Sequence, residues 1–379
     1  MAVAVSATLK RTFGTCVRRQ KYREFLKSME AAALVQKEPF RIGLEDCKMK
    51  TLFDETVMGG IRMKNRLVRS ATGENLATPE GHIPPDLLDI YQGLAKGGVG
   101  LIVTSFTSVA PVDHFNDGLL RLHDDSLIPE YKNLVDEVHR YGSSIMPQLA
   151  LGIYQRKNAD GSYTRISVDR MNEADITEVI RKFVSAAGRA KKAGFDGVQL
   201  HGCHGFVLSE FLKPSSNHRK DEYGGSTVNR ARIILEIIHG IRETAGNIPI
   251  SIKASAGDLP PEMLLETCKL MVDAGLNSIE YEGYFSQMVP LLQQAVKVPV
   301  ILTGGHREFE QTNLLLNEYG VDYFGMSRPL IREENLPNRW KNGDTRPAEC
   351  VSCGMCMSTY GYRCALTPQK YGKKPRKNR

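Results

Sequence analysis

His201 and His204, three positions apart, follow an apolar run that begins at Gly197 and are succeeded by Gly205 and Phe206. An apolar run that breaks into two imidazoles is a buried strand delivering titratable rings to one end of a sheet. There they can donate hydrogen bonds or carry protons near neutral pH. A satisfied core or surface histidine is the plain alternative for either ring alone, and the shared edge is what makes the pair a candidate active site. Further along, Cys350, Cys353, Cys356 and Cys364 are spaced Cys-x2-Cys-x2-Cys-x7-Cys. Thiolates crowded in this way suit an iron–sulfur cube, with an isolated zinc site as the structural alternative; disulfides are disfavoured in a reducing compartment. Cys16, Cys47, Cys203 and Cys268 read as unpaired thiols, and Cys203 lies between the two histidines.

The elements that must position these groups are legible from Met49 onward, where β-rich apolar runs alternate with helix-length amphipathic stretches. Strands are predicted at 66–71, 100–105, 144–149, 197–201, 249–255, 278–282, 299–303 and 322–326. Helices are predicted near 87–96, 129–141, 174–193, 228–244, 261–274, 287–295 and 309–319, and several end at a glycine just ahead of the next strand, as a left-handed cap requires. Eight βα units predict an α/β protein built as a (β/α)8 TIM barrel, with function at the C-terminal ends of the strands. A doubly wound open sheet is the rival, but no Gly-x-Gly-x-x-Gly follows an early strand.

On that map the chemistry-bearing residues gather at one rim. Gln148 ends the third strand, His201 and His204 follow the fourth, and Lys253 sits in the fifth. Gly304 and Gly305 follow the seventh, and Ser327 and Arg328 the eighth. The last four suit a phosphate site made of backbone N–H groups, a helix N-terminus and a cation. A plain turn and a surface ion pair are the alternative.

The 379 residues, with one Trp, are enough for one large core plus appendages. No apolar run is long enough to cross a bilayer, so no membrane partner is expected. The formal charge of +7 is carried by the ends: residues 1–23 hold six basic residues and no acid, residues 370–379 hold another six, and the remainder has 38 basic against 43 acidic residues. That distribution argues against nucleic acid as a partner. Residues 1–48 read as a non-core extension or, since the first twenty are Arg-rich and acid-free, as a transit segment. A cytoplasmic location goes with the first reading, a mitochondrial or related one with the second. The expected map is therefore an extension at 1–48, a barrel at 49–340, a cysteine-rich segment at 345–366 and a basic tail at 367–379.

A series of motifs occurs in order: Lys64-Asn-Arg-Leu-Val68, Ala95-Lys-Gly-Gly-Val-Gly-Leu-Ile102, Gln148-Leu149, His201-x-x-His204-Gly, Phe211-Leu-x-Pro214, Asn217-x-Arg219, Asp221-Glu-Tyr-Gly-Gly225 and Asn229-Arg-x-Arg232. With these motifs the chain resembles the Old Yellow Enzyme family of FMN-dependent oxidoreductases over essentially Met49 to Arg339. The resemblance implies that Gln148 hydrogen-bonds the flavin pyrimidine edge and that Lys253 places positive charge near N1 and O2. It implies that Ser70, Ala71 and Thr72 pack near the dimethylbenzene-to-N5 side, and that Gly304, Gly305, Ser327 and Arg328 hold the phosphate. His201 and His204 would both donate to a carbonyl oxygen of a small-molecule substrate, polarising a conjugated C=C toward hydride, with NAD(P)H as electron donor. The first three cysteine intervals resemble those of the branch with trimethylamine dehydrogenase and 2,4-dienoyl-CoA reductase, which carries a [4Fe-4S] cluster after the barrel; the last interval is shorter here. Those larger relatives continue into domains for a second flavin and a dinucleotide; with a cluster formed here the expected partner is an external electron-transfer protein, and without one NAD(P)H would reduce FMN directly in the substrate pocket.

Two positions depart from the family pattern. Phe206 stands where many members have a tyrosine that protonates the substrate α-carbon, which leaves solvent or Tyr284 to supply the proton, or a substrate that needs none. Leu151-Gly-Ile-Tyr154 stands where many relatives have His-Ala-Gly-Arg, which predicts a more apolar pocket wall. The expected function is FMN-dependent reduction of activated C=C bonds in enones or enoyl thioesters. The alternatives are an amine or other substrate dehydrogenase sending electrons out through the cluster, and a non-catalytic flavin-binding scaffold. A homo-oligomer is compatible with all three.

Overall fold

In the computed structural model the chain divides into two units, Met1–Met49 and Lys50–Arg379. The structure describes residues 49–255, 257–284 and 288–367. The expected N-terminal extension and all but the first residue of the expected basic tail lie outside them.

Eight strands are laid down as β1 Leu67–Arg69, β2 Leu101–Ser108, β3 Ser144–Ala150, β4 Val198–His201, β5 Ile250–Ser255, β6 Ser278–Glu282, β7 Val300–Thr303 and β8 Tyr323–Met326. They pair in parallel in the order β1-β8-β7-β6-β5-β4-β3-β2, and Val68 opposite Leu101 with Arg69 opposite Ile102 joins β1 to β2 and closes the sheet. The first seven strands are followed in turn by α1 Pro85–Lys96, α2 Ile128–His139, α3 Glu173–Ala193, α4 Thr227–Ala245, α5 Pro261–Asp273, α6 Met288–Ala295 and α7 Phe309–Glu318. Short helices at Arg328–Arg332 and Leu336–Lys341 follow β8. The predicted (β/α)8 barrel is borne out.

The local causes are visible in α3. Asn172 and Asp175 exchange side-chain-to-backbone hydrogen bonds as a capping box, and Gly194 ends the helix at φ 89°. Between them Ile176, Val179, Phe183, Ala186, Ala187 and Ala190 recur at helical spacing and are buried. No helix among the described residues is long and apolar enough to cross a membrane.

Two features were not anticipated from the sequence. Thr56–Met58 and Ile61–Met63 form an antiparallel hairpin whose two-residue turn, Gly59 and Gly60, has φ of 55° and 101°. Positive φ at both turn positions matches the right-handed strand twist, and a Cβ on Gly59 would overlap the Asn277 carbonyl. The hairpin carries Met58, Ile61 and Met63 into one cluster with Val68, Leu101, Val103, Met146, Ile301 and Tyr323, an apolar floor to the barrel. The second feature is a register shift between Val103 and Phe106 against β3, which carries β2 three residues past its predicted end. Its polar groups are met: Ser105 N–H donates to the Tyr91 hydroxyl at 2.8 Å, and Thr104 Oγ1 accepts from Gln148 N–H at 3.3 Å. Such bulges re-aim side chains, and here the beneficiary is Phe106.

Above the apolar floor the barrel lining turns polar, with Ser70, Gln148, Gln199, Lys253, Glu280 and Thr303 all buried. Gly325 on β8 pairs with Thr303 and leaves the space that the threonine side chain fills. Gly325→Ala should push Thr303 out of this layer and cost about 1–3 kcal/mol. Urea unfolding measures it, and an unchanged midpoint and slope would show that the layer tolerates the methyl group.

Candidate active site

Residues two apart on a strand share a face, so β6 turns Glu280 and Glu282 to the same side. Glu280 has no solvent exposure. Its Oε1 accepts from Ser70 Oγ at 2.5 Å and from Thr303 Oγ1 at 3.0 Å, and its Oε2 accepts from Gln199 Nε2 at 2.8 Å. Gln199 Oε1 in turn accepts from Gln148 Nε2 at 2.7 Å. Lys253 Nζ lies 3.2 Å from Glu280, 2.8 Å from Glu282, and donates to Ser70 Oγ at 2.9 Å. Strands β1, β3, β4, β5, β6 and β7 are thus joined by one polar belt.

Burial by itself would lower the Lys253 pKa, but Glu280 and Glu282 outweigh it and hold the ammonium above the ordinary lysine value. Burial likewise works to raise Glu282, and the hydrogen bond from His204 together with Lys253 pulls it well below the carboxylate range. At neutral pH Lys253 and Glu282 are therefore an ion pair, with Glu280 completing the hydrogen-bonded set.

The histidines stand on the rim of this belt. His201 is 4% exposed and pairs in register with Lys253. Burial, then His204 and Lys253, push its pKa well below that of a free imidazole, so the ring is neutral. Cys203 Sγ lies 3.8 Å from His201 Nδ1. Burial raises that thiol and keeps its proton. Either atom can be the donor of this contact; with the S–H donating to Nδ1, the ring proton would sit on Nε2, free to donate. His204 is exposed, its ring centroid is 5.1 Å from that of His201, and its Nε2 is 3.3 Å from Glu282.

Phe206 packs edge-on to His201 at 4.7 Å, to Phe115 at 4.7 Å and to Phe106 at 5.1 Å. The apolar wall expected from Leu151 to Tyr154 is therefore supplied largely by Phe106 and Phe115, two residues the sequence did not single out. Tyr154 instead spends its hydroxyl on Asp175 and Glu178 of α3. The Tyr284 ring lies against Gly305 at the β7 end of the rim.

The remaining expected residues fall into two groups. Ser70, Gln148 and Lys253 are in the belt, Ala71 packs against the apolar cluster inside the barrel, and Thr72 Oγ1 meets Ser327 Oγ at 2.8 Å. Gly304 and Gly305 have φ of 125° and 88°. A Cβ on the first would come within 2.9 Å of the Gly283 carbonyl, and one on the second within 3.0 Å of the Tyr284 ring. This glycine step, the Ser327 hydroxyl, the polar belt and the aromatic wall fit a cofactor with an anionic tail and a flat ring of polar and apolar edges. Arg328 is exposed and lines a different cavity, together with Arg332, Cys350, Cys353, Cys356 and Cys364. There burial and the neighbouring Cys350 raise the Cys356 thiol against the pull of Arg328. At Cys364 burial is outweighed by the Leu366 amide, Thr367 and Arg332, which lower it. Four thiols on one cavity wall, among cations, fit an anionic metal–sulfur group.

Glu280, Glu282 and Gln199 are the site residues missed from the sequence. The signal available was a pair of acids at i and i+2 inside an otherwise apolar strand, since a charge carried into a barrel needs a partner there.

Fold and rim chemistry together are those of a barrel that works at its strand C-termini. The chain belongs to the NADH:flavin oxidoreductase / NADH oxidase family, whose sequence model matches residues 51–267. It is 31% identical to an NADH oxidase of Thermoanaerobacter brockii, over 84% of this chain and 56% of that protein. It is 36% identical to an NADPH dehydrogenase of Halalkalibacterium halodurans, over 76% of this chain and 92% of that protein. Among solved structures, the Old Yellow Enzyme homologue from Zymomonas mobilis superposes with a TM-score of 0.67 at 22% identity, covering 83% of this chain and 97% of the other, which shows the shared fold. The chain spans just over half the length of the NADH oxidase. The family expected from the motifs is borne out.

Lys253→Met should leave buried carboxylate charge uncompensated and cost about 3–5 kcal/mol in denaturant unfolding, with Glu280→Gln in the same chain restoring part of it. A loss within error of zero would mean that the belt is not held by charge. The depressed folded pKa of Glu282 adds stability that is complete above the unfolded value of about 4.3 and disappears as pH falls through the folded value. Glu282→Gln should therefore flatten the acid limb of a stability–pH curve, and an unaltered limb would contradict the pairing.

Proposed function

We propose that the chain is an FMN-dependent oxidoreductase that uses NAD(P)H to reduce the activated C=C bond of an enone or enoyl thioester. The observation that carries this is the imidazole pair at the barrel mouth, a neutral His201 with His204 beside it. Two N–H donors converging on one carbonyl oxygen stabilise the negative charge that grows there as the conjugated carbon is reduced. Bound FMN supplies hydride transfer. Gln148 and Lys253 would hold its polar edge, Ser70, Ala71 and Thr72 the β1 side of its ring, and Gly304, Gly305 and Ser327 its phosphate, while Arg328, expected there from the motif, faces the cysteine cavity instead.

The protein's own groups then set the outcome. Cys203 keeps the donating proton of His201 on Nε2, Glu282 orients His204, and the aromatic wall accepts a flat apolar substrate body. Phe206 has no proton to give, so the α-carbon is protonated by water on the exposed His204 side or by the exposed Tyr284. Cys350, Cys353, Cys356 and Cys364 would hold a [4Fe-4S] cluster, which would supply one-electron transfer to a protein partner. Their common cavity supports it.

Anaerobic titration with NADH should bleach the flavin bands over a broad iron–sulfur absorbance. Flavin that stays oxidised with NADH but bleaches with an amine would reverse the proposed direction, and zinc in place of iron in metal analysis would remove the cluster. His201→Ala should lower enone reduction at least about a hundredfold, and wild-type rates in that variant would refute the role given to the pair.

A further inference from the structure

Cys203 is fully buried between the two histidines, and its sulfur is positioned for more than fixing a tautomer. Besides the 3.8 Å from Sγ to His201 Nδ1, one donor atom from each of His201, Cys203 and His204 lies within 4.8 Å of the other two. A tetrahedral ion bound at about 2.0 Å to nitrogen and about 2.3 Å to sulfur needs its nitrogens roughly 3.3 Å apart and each nitrogen roughly 3.5 Å from the sulfur. His201 and Cys203, at 3.8 Å, need to close by only a few tenths of an ångström, and the exposed His204 ring can move by rotation. The backbone is wound to bring the three together: His204 has φ 66° and Gly205 φ 78°, left-handed values that a residue with a side chain seldom adopts without local cause. The His204 N–H is tied down by Asp258 Oδ2 at 3.1 Å. Glu282, 3.3 Å from His204 Nε2, is the outer carboxylate that orients a ligating imidazole in metal sites.

We infer that His201, Cys203 and His204 bind a thiophilic divalent ion of the Zn2+ type, with water in the fourth position. Binding forms the metal–sulfur bond and releases the Cys203 thiol proton to solvent, with no change of oxidation state. Lys253 opposes the ion from the next strand, but Glu280 and Glu282 neutralise it and the new thiolate adds a negative charge. The ion takes both imidazoles, so metal and substrate carbonyl exclude one another, and the site makes the proposed reaction sensitive to metal.

The test is 113Cd NMR of the purified holoprotein titrated with 113Cd2+, alongside Zn2+ affinity from chelator competition. The expected result is a resonance of a one-thiolate, two-imidazole site, distinct from any sulfur-rich signal of the four C-terminal cysteines. That resonance should be absent in Cys203→Ser and in His204→Asn, each with Zn2+ affinity at this site lowered at least about a hundredfold. Asparagine tolerates the left-handed backbone at 204, and the position is exposed, so that variant isolates the ligand from the fold. Identical resonances in wild type and both variants would overturn the inference. The readout involves no turnover and can be repeated on flavin-free protein, so it stands or falls separately from the proposed reaction.

Discussion

Glu280 sits inside the barrel with no exposure to solvent and accepts hydrogen bonds from Ser70 just past β1, Gln199 on β4 and Thr303 on β7, beside the Lys253 ammonium on β5. An ionised carboxylate alone at that depth would cost more than the whole net stability of a domain. Each partner is therefore a condition on the others: the glycine at 325 makes room for Thr303, and Thr303 helps satisfy Glu280. Glu280 and Glu282 keep Lys253 charged. In the apolar floor below, closed by the Gly59-Gly60 hairpin, the one polar side-chain group of the cluster, the Tyr323 hydroxyl, is spent on Thr56 and the Val57 carbonyl, so the belt finds its partners within itself.

What the belt holds in place is the rim. Lys253 is in register with His201, and through Glu282 it reaches His204, so the two imidazoles are set by the same charges that stabilise the interior. The rings differ accordingly. His201 is buried, neutral and backed by a thiol, whereas His204 is exposed and faces a carboxylate. One is a fixed donor and the other an adjustable one. The aromatic wall of Phe106, Phe115 and Phe206 lowers the polarity around the fixed donor, where a hydrogen bond to a developing charge is worth more than in water.

The loop after β8 couples this rim to the cysteine segment. Ser327 faces Thr72 and, through its carbonyl, the buried Arg69, while the next residue turns its guanidinium into the cavity lined by the four cysteines. Arg307 ties the same segment to the loop after β7 by donating to Ser352 at 2.7 Å and accepting from the Ala348 N–H at 2.7 Å. Two adjacent residues thus face two different sites, so the cysteine cavity and the barrel mouth share the loop after β8.

The sequence by itself determined the barrel, because strand and helix periods, glycine caps and apolar runs are local properties, and the eight units appear with boundaries displaced by only a few residues. It also determined the histidine pair and the family, whose motifs are contiguous. It did not disclose Glu280 as the hub, since Ser70, Gln199 and Thr303 are remote along the chain and meet only when β1 closes on β2. Nor did it disclose that Phe106 would join the site, because a bulge is a misfit between two strands and is not written in either. Arg328 shows the same division: its motif places it after β8, but the packing of a segment some twenty-five residues further on decides what its charge faces. Local chemistry chose the elements, and closure of the barrel chose which buried charges could neutralise one another.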